Sequence, residues 1–324
     1  MFILNKQPEK PFTVLNLTDI QLGMAEWQPG DPVGTAAVKT IRTLVQNTAP
    51  DLITLTGDQS WAGSDSSYQK LFELLNGFGV FWAPFWGNHD NQNGAEYVNR
   101  LVESLKGYKH CLYEAGDPAL GNGNYVIRID ENARPAAALI LMDSHDRAPY
   151  TAPDGTASTA WAKLWPPQLS WLSRQAALLA RAGCSDVSLL THIPPYVYRE
   201  AAEAAFPKDL DRKSVDPMQS HLPEYWNPGY EGSEGVAYEG ICSYPEEDGV
   251  WSVLTGCGNI RRVIVGHDHV NDFMIRYKGI QLIYALKTGA GCYYHPSLNG
   301  GTVLTIDTAV TVRHVYTADI RPET

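Results

Sequence analysis

The sequence predicts an α/β fold in which strands and helices alternate through short connections, and three observations carry that expectation. From Phe12 to Leu105, apolar runs of strand length trade places with stretches of helical periodicity. Five strand-like runs along the chain end in Asp, Asn or His, the place where layered α/β folds put their ligands. The tail, from Phe273 to Tyr316, lacks helical periodicity and reads as strands joined by short turns.

The elements follow in order. Phe12–Thr18 reads as a strand ending at Asp19. A helix is expected from about Thr35 to Asn47, where Ala36, Val38, Ile41, Leu44 and Val45 fall near helical spacing. A strand over Asp51–Thr56, a helix near Tyr68–Leu75 and the aromatic strand Val80–Trp86 come next. Gly94 and Gly107 bound a further helix at Ala95–Leu105. The second half repeats the pattern with strands at Tyr125–Ile129 and Ala138–Met142, a helix at Gln168–Arg181, and strands at Val187–Thr191 and Arg262–Val265. Antiparallel strands are expected at Phe273–Tyr277, Ile280–Ala285, Val303–Ile306 and Val310–Tyr316. Residues 144–167 and 207–249 are rich in Pro, Gly, Ser, Asp and aromatics without periodicity, and are expected as long irregular insertions. Trp226, Tyr230, Tyr238 and Tyr244 mark the second as an ordered loop over the site rather than a linker. Neither a repeat nor a domain boundary stands out, so one domain over residues 1–324 is expected.

Composition narrows the classes. The net charge of −11 argues against a protein that tracks a nucleic-acid backbone, which needs a basic face. An anionic small-molecule substrate stays compatible, because bound dications reverse the local potential. Cys111, Cys184, Cys242, Cys257 and Cys292 are odd in number, widely spaced and without a Cys-x-x-Cys pair, as free thiols in a reducing compartment would be. A Cys242–Cys257 bridge has no support beyond their both being cysteines. The start, Met1 to Pro8, turns polar too early for a signal peptide, and no stretch is apolar for the ~18 residues of a membrane span. A cytoplasmic protein with no membrane partner is therefore the expectation. Asn16-Leu17-Thr18 fits a glycosylation sequon but lies inside a strand expected to be buried.

The chemistry lies in five segments: Asp19-Ile20-Gln21, Gly57-Asp58, Gly87-Asn88-His89-Asp90, Thr191-His192 and Gly266-His267-Asp268-His269. Any one alone has an ordinary reading, since Asp after a strand often makes a turn and a lone His is often a surface residue. Together, each at a strand end, they describe a polynuclear metal site. A carboxylate such as Asp58 has two oxygens and can bridge two cations, and Asp19 is a second anion. The imidazoles of His192, His267 and His269 suit zinc, iron, manganese or nickel better than calcium. Two dications against two carboxylates leave a positive site that attracts a phosphate ester and activates water.

In order and spacing these segments resemble the calcineurin-like metallophosphoesterase superfamily, whose run is D-x-H, G-D, G-N-H-[DE], H and G-H-x-H. The likeness spans residues 13 to 275, and Gly266–Phe273, Thr191–Pro194 and Met142–Ser144 are similar to the small branch related to purple acid phosphatases. The resemblance implies a four-layer α-β-β-α sandwich of two mixed sheets flanked by helices. It implies one divalent or trivalent ion (Mn, Fe, Zn or Ni) held by Asp19, residue 21, Asp58 and His269, and a second held by Asp58, Asn88, His192 and His267. It further implies hydrolysis of a phosphomonoester or phosphodiester by a hydroxide bridging the ions. His89 would act as proton donor or electrostatic stabiliser, oriented and charged by Asp90, and Asn88 and His89 would meet the substrate.

Three departures matter. The first motif ends in Gln21 rather than His, leaving two readings open: coordination through the carboxamide oxygen, or a hydrogen bond to a metal-bound water. Trp61 stands where purple phosphatases carry a tyrosine ligand, so no tyrosinate-bound iron is expected. Asp143-Ser144-His145 mimics the missing Asp-x-His but comes too late in the order, and reads as a turn. His110, His221 and His295 lack partners at ligand spacing. Gln21 also motivates an alternative: a phosphate- or nucleotide-binding scaffold with a weakened first metal site and little turnover.

Overall fold

A computed structural model of the chain describes residues 1–23, 30–61 and 63–320. Its elements are β1 (Phe2–Lys6), β2 (Phe12–Leu17), α1 (Pro32–Thr48), β3 (Leu52–Thr56), α2 (Asp65–Gly77), β4 (Phe81–Phe85), α3 (Asn88–Asn91) and α4 (Ala95–Leu105). Then follow β5 (Tyr125–Glu131), β6 (Arg134–Met142), β7 (Arg147–Thr151), β8 (Ala157–Trp161), α5 (Pro166–Arg181), β9 (Val187–Thr191) and α6 (Val197–Ala205). The chain continues through α7 (Val250–Cys257), β10 (Ile260–Val265), β11 (Met274–Tyr277), β12 (Ile280–Tyr284), β13 (Gly300–Ile306) and β14 (Val310–Tyr316).

Two mixed sheets result. One has seven strands in the order β1-β5-β6-β9-β10-β12-β11, with β6, β9, β10 and β12 parallel. The other has five strands in the order β14-β13-β2-β3-β4, with β2, β3 and β4 parallel. Period-two alternation sorts each strand's side chains between layers. In β6, Ala137, Leu139 and Leu141 face the other sheet, whereas Ala138, Ile140 and Met142 pack with residues of α5, α6 and α7. In β3, Leu52 joins the core between the sheets, while Ile53 and Leu55 pack with α1, α2 and α4. The order is thus helices, sheet, sheet, helices: the expected four-layer sandwich. Two buried faces per sheet also explain why these strands read as continuous apolar runs.

Local chemistry moves some boundaries. Helix α1 starts at Pro32, before the expected Thr35, because the Asp31 carboxylate accepts from Val33 N and Gly34 N and Pro supplies the first-turn geometry. Strand β1 pairs parallel with β5 at the sheet edge, and its short, half-polar sequence gave no period to read. Helices α6 and α7 were likewise not expected; both are short, and α6 follows a Pro-Pro pair. Segment 144–167 is not wholly irregular, since β7 and β8 form an antiparallel hairpin. Residues 207–249 contain three single helical turns and two isolated β-bridges, Glu234 to Met274 and Ala237 to Asn271. Trp226 packs this loop against Phe206, with ring centroids 4.7 Å apart. The tail strands are antiparallel but divide between sheets, β11 with β12 and β13 with β14. Asn16 is buried in β2. All five cysteines are free. No helix among the described residues is long and apolar enough to cross a membrane.

Leu139, 1% exposed, sits between the two sheets. Leu139→Ala is expected to lower stability by about 2–5 kcal/mol, the usual range for a buried Leu truncation. Urea unfolding should show a lower midpoint at unchanged slope.

Candidate metal centre

The carboxyl ends of β2, β3 and β4 bring Asp19, Asp58 and Asn88 to one edge, and those of β9 and β10 bring His192, His267 and His269 to face them. The backbone turns sharply at these places. Asp19, Gln21, Asp58 and His267 all hold left-handed φ values of 50°, 44°, 49° and 77°. Such angles are uncommon for residues other than Gly, less so for Asp and His than for Gln, and mark where the fold holds strain at a site. Two glycines make the approach possible. Gly57 has φ of 82°, and a Cβ there would lie 2.6 Å from His192 Nδ1. A Cβ on Gly266 would lie 2.1 Å from Thr18 Oγ1 and 2.6 Å from Asp19 Oδ2.

Hydrogen-bond partners fix what each ring presents. His192 Nδ1 lies 2.8 Å from the Thr56 carbonyl, and His269 Nδ1 lies 3.0 Å from the Tyr293 carbonyl. A carbonyl only accepts, so each Nδ1 carries a proton and each Nε2 is left with a lone pair in the neutral ring. Those lone pairs meet other acceptors. His192 Nε2 lies 3.1 Å from Asn88 Oδ1, 3.3 Å from Asp58 Oδ1 and 4.0 Å from Asp19 Oδ1. His269 Nε2 lies 3.2 Å from Asp19 Oδ1. Asp19 Oδ1 and His267 Nε2 are buried with no hydrogen-bond partner among the described residues. Acceptors facing acceptors in a buried space require a positive charge between them. The donor set therefore fits cations: Asp19, Asp58 and His269 offer ligand atoms within 4.8 Å of one another.

Without a cation, a proton on the ring answers the same demand for positive charge. Burial disfavours charge on His192, yet the Asp58 and Asp19 carboxylates overcome it and push the imidazole up to about 10. His269 is likewise raised to about 9, its burial and the Lys287 charge outweighed by Asp19. Burial and the charge on His192 hold His267 down to about 3, so its ring is neutral. Asp19 and Asp58 lie below the carboxylate range; burial opposes this, and His192 outweighs it.

The other expected residues fall in different places. Gln21 lies beside Asp58, but its oxygen accepts from Lys287 Nζ at 2.6 Å and its nitrogen faces Asp58 Oδ2 at 3.5 Å. His89 sits on the rim with its side chain 25% exposed, against 1% for Asp58 and 0% for His192. Its backbone N–H donates to Asp58 Oδ1, its Nε2 is 3.9 Å from Asp58 Oδ2, and its Nδ1 pairs with Gln92 Oε1 at 3.0 Å. Asp90 was expected to orient and charge that ring, but its bonds go elsewhere. It accepts from Tyr68 Oη, Gly87 N and Gln59 N, tying the turn after β4 to the turn after β3. Burial and the neighbouring Asp58 push its carboxyl up to about 7.

Asp143 is a turn residue, accepting from Asn122 N, Asn91 Nδ2 and His145 N. His145 stacks on Trp165 with centroids 3.7 Å apart. The ring of His110 packs on Phe81, His295 Nδ1 accepts from Ser297 N, and His221 is exposed.

Sequence reasoning missed several neighbours. Lys287 follows a buried strand, and a lysine there was the one readable signal. Trp161, from the unexpected hairpin, packs edge-on to His267 at 4.4 Å, and Arg147 lies 3.5 Å above the Trp161 ring. Tyr293 lies over His269 at 4.4 Å. A cleft of about 380 Å³ near His89 is lined by Asn91, Asn122, His145, Asp146, Arg147 and Trp165, among others. The expected loop over the site reaches its rim: Cys242 N donates to Asp268, and Glu239 accepts from Val270 N and Tyr293 Oη.

Comparison with known proteins gives the class to which this fold and these motifs belong. The model of the calcineurin-like phosphoesterase family matches residues 12–271, and the chain belongs to that family. Among curated proteins it is 25% identical over 327 residues to "Probable inactive purple acid phosphatase 28" of Arabidopsis thaliana, covering 88% of this chain and 71% of the relative. It is 29% identical over 330 residues to "Phosphatase DCR2" of Saccharomyces cerevisiae, covering 92% of this chain and about half (51%) of that protein. Its fold is similar to that of a dimetal phosphatase from Danio rerio, with a TM-score of 0.58 at 16% identity, covering 94% of this chain and 95% of the other.

A cation that relieves facing acceptors stabilises the folded chain. Stripping metal with a chelator is expected to lower the melting temperature. Divalent metal readded at 100 times its Kd should restore about 2.7 kcal/mol. Asp58→Asn should lose most of that shift, and a wild-type melt indifferent to chelator would remove the cation from this site.

Proposed function

We propose that the chain hydrolyses small phosphate esters at this centre with the aid of two divalent or trivalent ions. The observation that supports this most is the meeting of Asp19, Asp58, Asn88, His192 and His269 acceptor atoms in one buried space. When bound, the ions supply Lewis-acid charge and lower the pKa of water. Asp58 would be the carboxylate that both ions share, with Asp19 and His269 holding one and Asn88, His192 and His267 holding the other. Asn88 turns its oxygen to His192, which leaves its amide nitrogen to donate to a phosphoryl oxygen.

His89 is the exposed member of the group and the first that a substrate meets. Gln92 Oε1 engages Nδ1, so the proton that His89 gives or takes is the one at Nε2. Trp61, with its ring centroid 3.9 Å away, holds the imidazole plane. Arg147 at the neighbouring cleft offers a charge for the part of the substrate beyond the phosphorus. A second reading is a phosphate-binding scaffold with little turnover. The word "inactive" in the Arabidopsis relative's name and the engagement of Gln21 by Lys287 favour it.

Chromogenic mono- and diesters assayed with added manganese, alongside metal content, separate the two. Metal uptake without turnover on either ester favours the scaffold. For the hydrolase, His89→Ala is expected to keep its metal and lose turnover by ~10²–10⁴, the usual worth of a general acid. Undiminished turnover at full metal occupancy would take that role from His89.

A further inference from the structure

Lys287 is 2% exposed, beside the two carboxylates of the centre, and no catalytic step above uses it. Both of its hydrogen bonds go to uncharged oxygens, Gln21 Oε1 at 2.6 Å and the Asp19 main-chain oxygen at 2.9 Å. Burying an ammonium costs several kcal/mol unless the surroundings compensate, so the fold holds it in place deliberately. Thr288 N donates to Thr18 O and Gly289 N to Asp19 O, which zips the Lys287 segment to the turn after β2. Gly300 N and Asn299 Nδ2 both donate to the Lys287 carbonyl from the other side.

The contact settles which way Gln21 points. An ammonium has donors only, so the atom of Gln21 that meets it is the oxygen. The other end, facing Asp58 Oδ2, is then the amide nitrogen, which has no lone pair to give a metal. Where the family motif places an imidazole, this chain places an –NH₂ group with a fixed cation behind it. Asp19, Asp58 and His269 are what remains of that ligand set, whereas Asn88, His192 and His267 complete the other, and among the described residues no lysine or arginine hydrogen-bonds to them. Formal charge points the same way. With one dication bound, the two carboxylates and Lys287 already sum to one positive charge, and a second dication raises the sum to three.

Resting on the hydrolase reading, we infer that Lys287 and Gln21 make the two ion positions unequal. The ion held by Asp58, Asn88, His192 and His267 is resident. The ion held by Asp19, Asp58 and His269 is exchangeable, so the free metal concentration regulates the centre.

Calorimetric titration of the metal-free chain with Mn²⁺ alone, without substrate, tests this at neutral pH. Two binding events are expected, with dissociation constants at least about tenfold apart, a separation of about 1.4 kcal/mol. Lys287→Met should tighten the weaker event about tenfold or more and leave the stronger within about twofold. Lys287→Gln, which keeps a donor for Gln21 and removes only the charge, should do the same, and it carries the test if the Met variant fails to fold. Two equally tight events in the wild type would overturn the inference while leaving the hydrolase reading intact. So would a weaker event unmoved in both variants. No Mn²⁺ binding at all would overturn both readings together.

Discussion

Two β-sheets are held in one alignment by buried acceptor atoms that neither sheet satisfies alone. The five-stranded sheet contributes Asp19, Asp58 and Asn88, and the seven-stranded sheet contributes His192, His267 and His269. Direct bonds cross between them, from His192 Nδ1 to Thr56 O and from His267 N to Asp19 Oδ2. The glycines of the motifs follow from this constraint, because a methyl group at Gly57 or Gly266 would occupy the space where the two strand ends meet. Packing between the sheets and chemistry at their edge are therefore one problem. A shift of either sheet by one residue would turn its site residues away, since side chains alternate faces.

Three carboxylates adjoining the centre serve it without facing it. Asp90 gathers the turns after β3 and β4 through Gln59 N, Gly87 N and Tyr68. Asp143 gathers Asn122, Asn91 and His145, and the neighbouring Ser144 hydroxyl accepts from Ile193 N, next to His192. Asp268 accepts from Tyr284 Oη and Cys242 N, fixing the turn that carries His267 and His269. Each replaces the ladder bonds that a strand loses at its end. An acidic residue in a metal motif can thus be essential to geometry while being no ligand at all.

How much of this was legible in the sequence varies with the range of the interaction. The layered class, most strands and the acceptors Asp19, Asp58, Asn88 and His192 were readable, because apolar runs and the residues at their ends are local. Strand β1 and helices α6 and α7 were not, being too short for periodicity to separate them from loops. The hairpin β7–β8 was hidden by Pro149, Pro153 and Gly155, which read as loop composition. The role of Asp90 was misjudged because adjacency in sequence suggested contact with His89, whereas the turn sends the two side chains to different sides. The partner of Lys287 was hidden for a different reason. The lysine's meaning depends on Gln21, which is 266 residues away in the chain.

Three histidines of the centre, His89, His267 and His269, each lean on an aromatic ring from a separate segment. Trp61 comes from the turn after β3, Trp161 from the β7–β8 hairpin, and Tyr293 from the segment before β13. Tyr293 is in turn tied through its hydroxyl to Glu239 of the long irregular loop. Such rings exclude water from one face of an imidazole, which strengthens electrostatic interactions at the site. They also stand on segments of the chain separate from the strand ends. The sheet edge thus sets which acceptors face one another, and three separate segments set the rings packed against the histidines.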